Sequence, residues 1–488
     1  MNQKNIFKTR QVLLTALIAI IGLSGCKKFL DVNENPNSPD TATPNLLLPA
    51  SQAATGQIVG NFFQIYGNFW AQYWTQNPTS SQYTTIDQYN PTATAFDRPW
   101  LILYNNALNN ADVITKAQGA NLEYTKGIAY LMKAYTFQVV TDAFGDVPLR
   151  EALNQSVFPA PKYDAQAVVY DSIFNYIDKG LALVSAAGAT SPGAQDMVFQ
   201  GNMANWKAFA NTLKLKAYLR LAYVDAAKAS AGVRALYATN PTFLTVDASI
   251  KYLSTGGNEN PLYNEMVGLS RTQNIVASST AISHFDANSD PRVAKLYDLI
   301  AAGAKAERSI PQGSYNTYTG KSVSPPSALV GARANNAASA TAPVKFFSAA
   351  ESYFLQAEAV SRGWTNGVGT VATLYAQGIQ ASFTAVGAGD ATSYIATAPD
   401  GAAALATNAL KAIITQKYYA MCGFQGFEAW TEWRRTGYPD FFVVSVAPSR
   451  GIPQGKFPLR MAYPNTEATS NKNFPGIVTI DTPVWWDK

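Results

Sequence analysis

The sequence has little of what most enzymes need. His284 is its single histidine, and Cys26 and Cys422 are its two cysteines. One histidine excludes a multi-histidine metal site, and a Ser/His/Asp triad would rest on His284 alone. His284 lies in an amphipathic stretch ahead of Asn288-Ser289-Asp290-Pro291, which points to a structural or surface role. Cys422 sits in a helical pattern with no nearby histidine and reads as a packed thiol. No GxGxxG, Walker or GxSxG motif occurs. A glycosidase needs only two carboxylates, and 32 acids cannot exclude one by counting, but no acid stands in an aromatic-flanked loop with a partner indicated. A binding protein is expected, with no catalytic residue, cofactor or metal.

Charge is also scarce. Charged residues are 14% of the chain, aromatics 12%, and no Lys/Arg cluster stands out, so nucleic acid is not an expected partner. Beyond the N-terminus no run approaches 18 apolar residues, the length of a membrane-spanning helix. With one cysteine left after Cys26, an internal disulfide is excluded, and stability must come from a core.

The first 25 residues read as a signal peptide. Lys4, Lys8 and Arg10 form a basic region, and Val12 to Leu23 is uncharged but short for a span. It ends in Leu23-Ser24-Gly25-Cys26, which resembles the bacterial lipobox, so Cys26 is the expected lipid attachment site and sole membrane anchor. Removing Lys4, Lys8 and Arg10 takes the 37 basic residues to 34 against 32 acids, a net of +2. Residues 26–44 are polar and Pro-rich, as a flexible tether should be. Asp31, Asn33 and Asn35 resemble the start of a calcium loop. Pro36 stands where the loop needs Gly, and Ala42 where it needs Glu, so a calcium loop is rejected.

Residues 45–488 read as a single, mainly α domain. Apolar residues recur at helical spacing over 61–74, 100–118, 124–144, 166–185, 202–224, 348–362, 370–386 and 402–435. Ser348 and Glu351 make a capping box. Short turns join 100–118 to 124–144 and 348–362 to 370–386, the logic of tetratricopeptide-like helix pairs. Between 241 and 343 the pattern dissolves into Gly, Asn, Ser, Pro and Tyr, an irregular insert expected to face ligand.

Two aromatic platforms are candidates. Residues 62–104 hold 12 aromatics in 43 positions; Phe62, Tyr66, Phe69 and Tyr73 form a helical core stripe, while Trp74, Tyr83 and Tyr89 follow toward a Ser/Thr/Gln-rich loop where burial is not demanded. The second is Tyr263, Arg271, Tyr315 and Tyr318 in the irregular insert. Flat rings under sugar C–H faces, with amides and charges at the rim, are how proteins hold glycans.

Motifs in order along the chain resemble the SusD/RagB-like outer-membrane lipoproteins, most closely the second, starch-binding-associated SusD-like branch. They are Phe144-Gly145-Asp146-Val147-Pro148, the helix from Phe209 to Arg220, Ser289-Asp290-Pro291-Arg292, Tyr353 to Ala359, Gln416 to Trp430, Arg434 to Pro439, Ile452-Pro453, Arg460, Tyr463-Pro464 and Trp485-Trp486-Asp487. The resemblance implies a helix-pair scaffold against a loop-rich ligand region. It also implies a surface lipoprotein that lids a SusC-like TonB-dependent transporter and captures glycan, or in some systems peptide. A surface adhesin is the remaining alternative. The motif residues themselves, including Glu358, Trp430, Glu432, Trp433, Arg434 and Arg435, read as core packing and ion pairs.

Overall fold

The computed structural model of the chain describes residues 43–301, 308–365 and 369–487. The signal peptide, Cys26 and the tether as far as residue 42 lie outside the described residues. The architecture is mainly α. Among helices of eight or more residues are α1 (Pro44–Gln57), α2 (Phe63–Trp70), α3 (Asn109–Lys116), α4 (Glu123–Phe144), α5 (Gln166–Val184), α6 (Met203–Arg220) and α7 (Ala226–Tyr237). They continue with α8 (Pro261–Gly268), α9 (Ser279–Ala287), α10 (Ala349–Ser361), α11 (Val371–Val386), α12 (Ala404–Met421) and α13 (Gly426–Thr436).

Neighbours in sequence pack as antiparallel partners: α3 with α4, α4 with α5, α5 with α6, and α10 with α11. Half of the capping box forms: Ser348 Oγ accepts from Glu351 N at 3.1 Å, while the Glu351 carboxylate turns to Gln425 and Lys216. Gly145 ends α4 with a positive φ of 85°, open to glycine at no steric cost. The expected helix over 402–435 is two helices, because Cys422 leaves the helical region and Gly423 turns the chain.

Three two-stranded antiparallel ribbons stitch the irregular parts: β1 (Trp74–Gln76) with β5 (Ile275–Ala277), β2 (Val147–Pro148) with β3 (Tyr163–Asp164), and β4 (Ala248–Ile250) with β6 (Val344–Phe347). Trp74 therefore belongs to a strand, not to a helix end. The insert 241–343 is less irregular than its composition suggests, since it holds β4, α8, β5 and α9. Asn260 caps α8 by accepting from Leu262 N and Tyr263 N, and Pro261 takes the first helical position.

Phe63, Trp70 and Tyr73 form a core zipper. Phe63 stacks on Phe427 at 4.8 Å, Trp70 meets Trp430 at 4.8 Å, and Tyr73 stacks on Tyr418 at 4.3 Å. α2 and α13 cross backbone to backbone: a Cβ on Gly67 would lie 2.0 Å from Phe427 N. Only glycine permits that approach.

Buried charges bind α6, α10, α12 and α13 together. Arg435 holds Glu358 through two bonds of 2.7 Å and Glu432 at 2.6 Å. Arg220 reaches Glu432 at 2.5 Å and Glu428 at 2.6 Å, while Lys417 lies 3.1 Å from Glu432. Burial alone would raise the Glu432 carboxyl, but Arg435, Lys417 and Arg220 hold it well below the usual carboxylate range. The motif residues are scaffold, as their sequence pattern predicts.

Candidate functional site

A cleft opens where α1 passes into α2. The junction, Ile58–Phe62, is a π-helical turn, a wider coil that shifts the following side chains around the axis. Asn61 and Phe62 leave this turn on the cleft wall. Asn61 Nδ2 donates to Pro261 O at 3.2 Å and lies 3.4 Å from Glu265 Oε2, tying the turn to α8.

The facing wall is the loop 77–96, folded back by buried polar groups. Gln76 Oε1 accepts from Tyr83 N at 2.6 Å. Asp87 accepts from Thr75 Oγ1, Gln76 N and Gln312 Nε2 at 2.8, 2.9 and 2.6 Å. Burial pushes the Asp87 carboxyl up to about 6, with these three hydrogen bonds working against the rise.

Between these walls lies a cavity of about 340 Å³. Phe62 and Tyr66 stack at 4.6 Å on one side, and Tyr83 closes another. The Tyr83 hydroxyl is buried and has no hydrogen-bond partner among the described residues. Burial raises its pKa, and the neighbouring Glu265 carboxylate adds to the rise. A second chamber of about 550 Å³ shares Gln57, Asn61, Arg98 and Glu265 with the first and continues to Lys251 and Tyr252. Aromatic walls with amides, a guanidinium and a carboxylate around them suit a polyhydroxylated ring.

The predicted ligand residues do not assemble into two exposed platforms. Tyr83 alone lines this cleft. Trp74, Tyr89 and Tyr315 are buried, so their rings offer no open stacking face. Trp74 O accepts from Gln312 Nε2 at 3.1 Å, Tyr89 OH accepts from Ser445 N at 3.1 Å, and Tyr315 OH accepts from Gln88 Nε2 at 2.9 Å. The expectation that the 77–90 loop leaves its tyrosines unburied is corrected: Gln76 Oε1 takes the Tyr83 N–H, Asp87 ties the loop to Thr75, Gln76 and Gln312, and the rings fold inward. Tyr263 is half-buried on α8 and Tyr318 packs on Val276, Ile310 and Val323. Arg271 lines a separate cavity of about 290 Å³ with Asn77, Thr79 and Lys321. Asn61, Arg98, Glu265 and Tyr252 carried no sequence signal for a site. Phe62 and Tyr66 were visible only as core stripe.

Catalytic groups are sparse here. His284 Nδ1 lies 2.8 Å from Thr280 O, and its ring stacks on Phe441. Cys422 is buried with its sulfur 3.3 Å from Tyr297 OH. Glu259 and Glu265 share the second chamber, the one acid pair a hydrolytic reading could use there. Among the described residues no group of His, Cys, Asp and Glu is placed to hold a metal, and no helix is long and apolar enough to cross a membrane.

The SusD-like family described as starch-binding and associating with the outer membrane matches residues 36–464. The chain belongs to that family. Its fold is similar to that of a SusD homologue from Bacteroides uniformis, with a TM-score of 0.75 at 24% identity over 91% of this chain and 99% of that one. A SusD/RagB family protein from Bacteroides thetaiotaomicron gives 0.75 at 22%, over 91% and 99%. A chitin-binding SusD homologue from Flavobacterium johnsoniae gives 0.73 at 25%, over 90% and 98%. No curated protein sequence matches.

Proposed function

We propose that this SusD-like protein is a lipid-anchored, outward-facing glycan-capture protein, without catalytic activity, that delivers oligosaccharide to a SusC-like TonB-dependent transporter. The observation that carries the reading is the Phe62–Tyr66–Tyr83 cleft, an aromatic wall with Asn61, Arg98 and Glu265 around it. A family described as starch-binding supports the ligand class, and the chitin-binding relative puts acetamido sugars beside glucans in the screen. Cys26 anchors the protein, and a binder held by lipid alone needs a transporter beside it to move its ligand.

Calorimetry with malto- and chito-oligosaccharides tests the capture step. Micromolar to millimolar dissociation is expected, about −8 to −4 kcal/mol, because a captured ligand must also be released. Ligand recovered intact after long incubation supports the non-enzymatic reading. Reducing ends that appear with the wild type and not with Glu265→Gln would overturn it. Cys26→Ser should move the protein to the soluble fraction, and mild detergent should recover a TonB-dependent receptor with the wild type. A peptide ligand is the second reading, favoured by the opposite charges of Arg98 and Glu265 on one cleft.

A further inference from the structure

Behind β4 runs a groove of about 890 Å³, bounded on its far side by α10 and α11. Lys251 and Tyr252, the two residues after β4, line both this groove and the second chamber of the cleft. They form a saddle between the two. Pro343, Ala349 and Ala381 keep the floor shallow and apolar, and Tyr353 stands half-buried beside them on α10. Val246 on the strand side is 45% exposed, an apolar side chain left uncovered at the groove.

The polar groups of this groove are mostly neutral. Thr245 and Ser249 bring hydroxyls, while Thr384 Oγ1 already donates to Gln380 O at 2.9 Å. Asp247 is already engaged: Oδ1 accepts from Ala349 N at 2.8 Å, and Oδ2 pairs with Lys345 at 2.8 Å. A charged ligand would find only Lys251 to answer it. A neutral ring with one apolar face and a hydroxylated edge matches both surfaces.

Size separates a chain from a single ring. Pockets that enclose a small ligand run from roughly 300 to 1,000 Å³. Here two chambers and the groove lie in series, each large enough to hold part of a ligand, joined at Asn61–Glu265 and again at Lys251–Tyr252. We propose that the groove between β4 and α10–α11 is a distal glycan subsite, occupied by the far end of the chain whose near end sits in the Phe62–Tyr66–Tyr83 cleft. This rests on the glycan reading of that cleft and specifies its ligand as a neutral oligosaccharide long enough to cross Tyr252. Tyr353 supplies the distal stacking face.

Titration calorimetry of the purified protein with malto- and chito-oligosaccharides, from disaccharide to octasaccharide, tests this. In the series that binds, Kd should fall by about tenfold or more once the chain outgrows the two chambers. Tyr353→Ala should remove that gain and leave disaccharide affinity unchanged. Ala385→Trp, at an exposed groove position, should do the same by filling the groove without touching the core. Disaccharide binding with no gain in longer chains, or a gain that survives both substitutions, overturns the distal subsite alone. No binding by either series at any length overturns the glycan reading and the subsite together.

Discussion

The scaffold around Arg435 and the cleft around Tyr83 place their charges differently. In the scaffold, each of the charges Arg220, Lys417, Glu428, Glu432 and Arg435 lies within 4 Å of an opposite one. In the cleft, a tyrosine hydroxyl is desolvated with no partner, and Arg98 stands exposed on the rim. Burying a polar group without a hydrogen bond costs free energy wherever it occurs. The scaffold's charges answer one another across four helices, although the buried Tyr418 hydroxyl there also lacks a hydrogen bond among the described residues, whereas the cleft keeps Arg98 exposed.

The largest break in this contrast is in the scaffold. Arg435→Met takes from Glu358 its two-bond partner, leaving it only Arg362, and leaves Glu432 to Arg220 and Lys417. Loss of one partner of a buried pair costs about 3–5 kcal/mol. Denaturant unfolding should register that loss, while the protein that remains folded keeps its oligosaccharide affinity. A loss of affinity matching the loss of stability would mean that network and cleft are coupled.

Acid should act with opposite sign on Asp87 and on three of the scaffold's glutamates. Glu358, Glu428 and Glu432 are desolvated, but their cation partners hold them below the usual carboxylate range. The stability they contribute is present above the ordinary carboxylate pKa and is lost as pH falls through their lower folded values. Asp87, behind the cleft wall, is raised from 3.8 to about 6 by burial. The folded state then binds more protons than the unfolded one between those values, so this group adds stability as pH falls from 6 toward 4. Two pH units correspond to a change on the order of 3 kcal/mol. Comparing wild type with Asp87→Asn isolates it: the wild type should gain on the variant between pH 7 and pH 4. Parallel stability curves would remove Asp87 from the account.

The scaffold was far more legible in sequence than the cleft, for a physical reason. Helix pairs are written in local spacing, and the Ser348 cap is a signal a few residues long. The motif residues from Glu358 to Arg435 read correctly as packing and ion pairs. The cleft depends on contacts between distant segments. Tyr89 and Tyr315 are drawn inward by Ser445 and Gln88, partners 356 and 227 residues away, which a polar loop composition cannot reveal. Asn61 and Phe62 face the cleft through a π turn that has no sequence signature. One omission was avoidable: Asn260-Pro261 is a cap followed by a first-turn proline, and it announces α8, the helix that carries Glu265.

The smallest expected effect is the sharpest test of the contrast. Tyr83→Phe deletes a single oxygen from a residue that is 7% exposed. In the scaffold, loss of a buried hydrogen-bonding group would cost stability, because its partner would be stranded. The Tyr83 hydroxyl has no partner among the described residues, so its removal strands nothing and relieves a desolvated oxygen. Thermal unfolding of the unliganded variant should therefore be unchanged or rise, by up to about 1 kcal/mol of stability. With ligand present the sign should reverse. If the hydroxyl bonds a sugar oxygen, the variant loses about 0.5–1.5 kcal/mol of binding, a weakening of up to roughly tenfold in Kd. Thr136→Val supplies the scaffold control, because Thr136 Oγ1 shares a 3.2 Å hydrogen bond with Thr55 in the core. That change should lower stability and leave Kd alone. Should Tyr83→Phe behave like the control, its hydroxyl belongs to the scaffold, and the floor of the cleft must be sought in Phe62 and Tyr66.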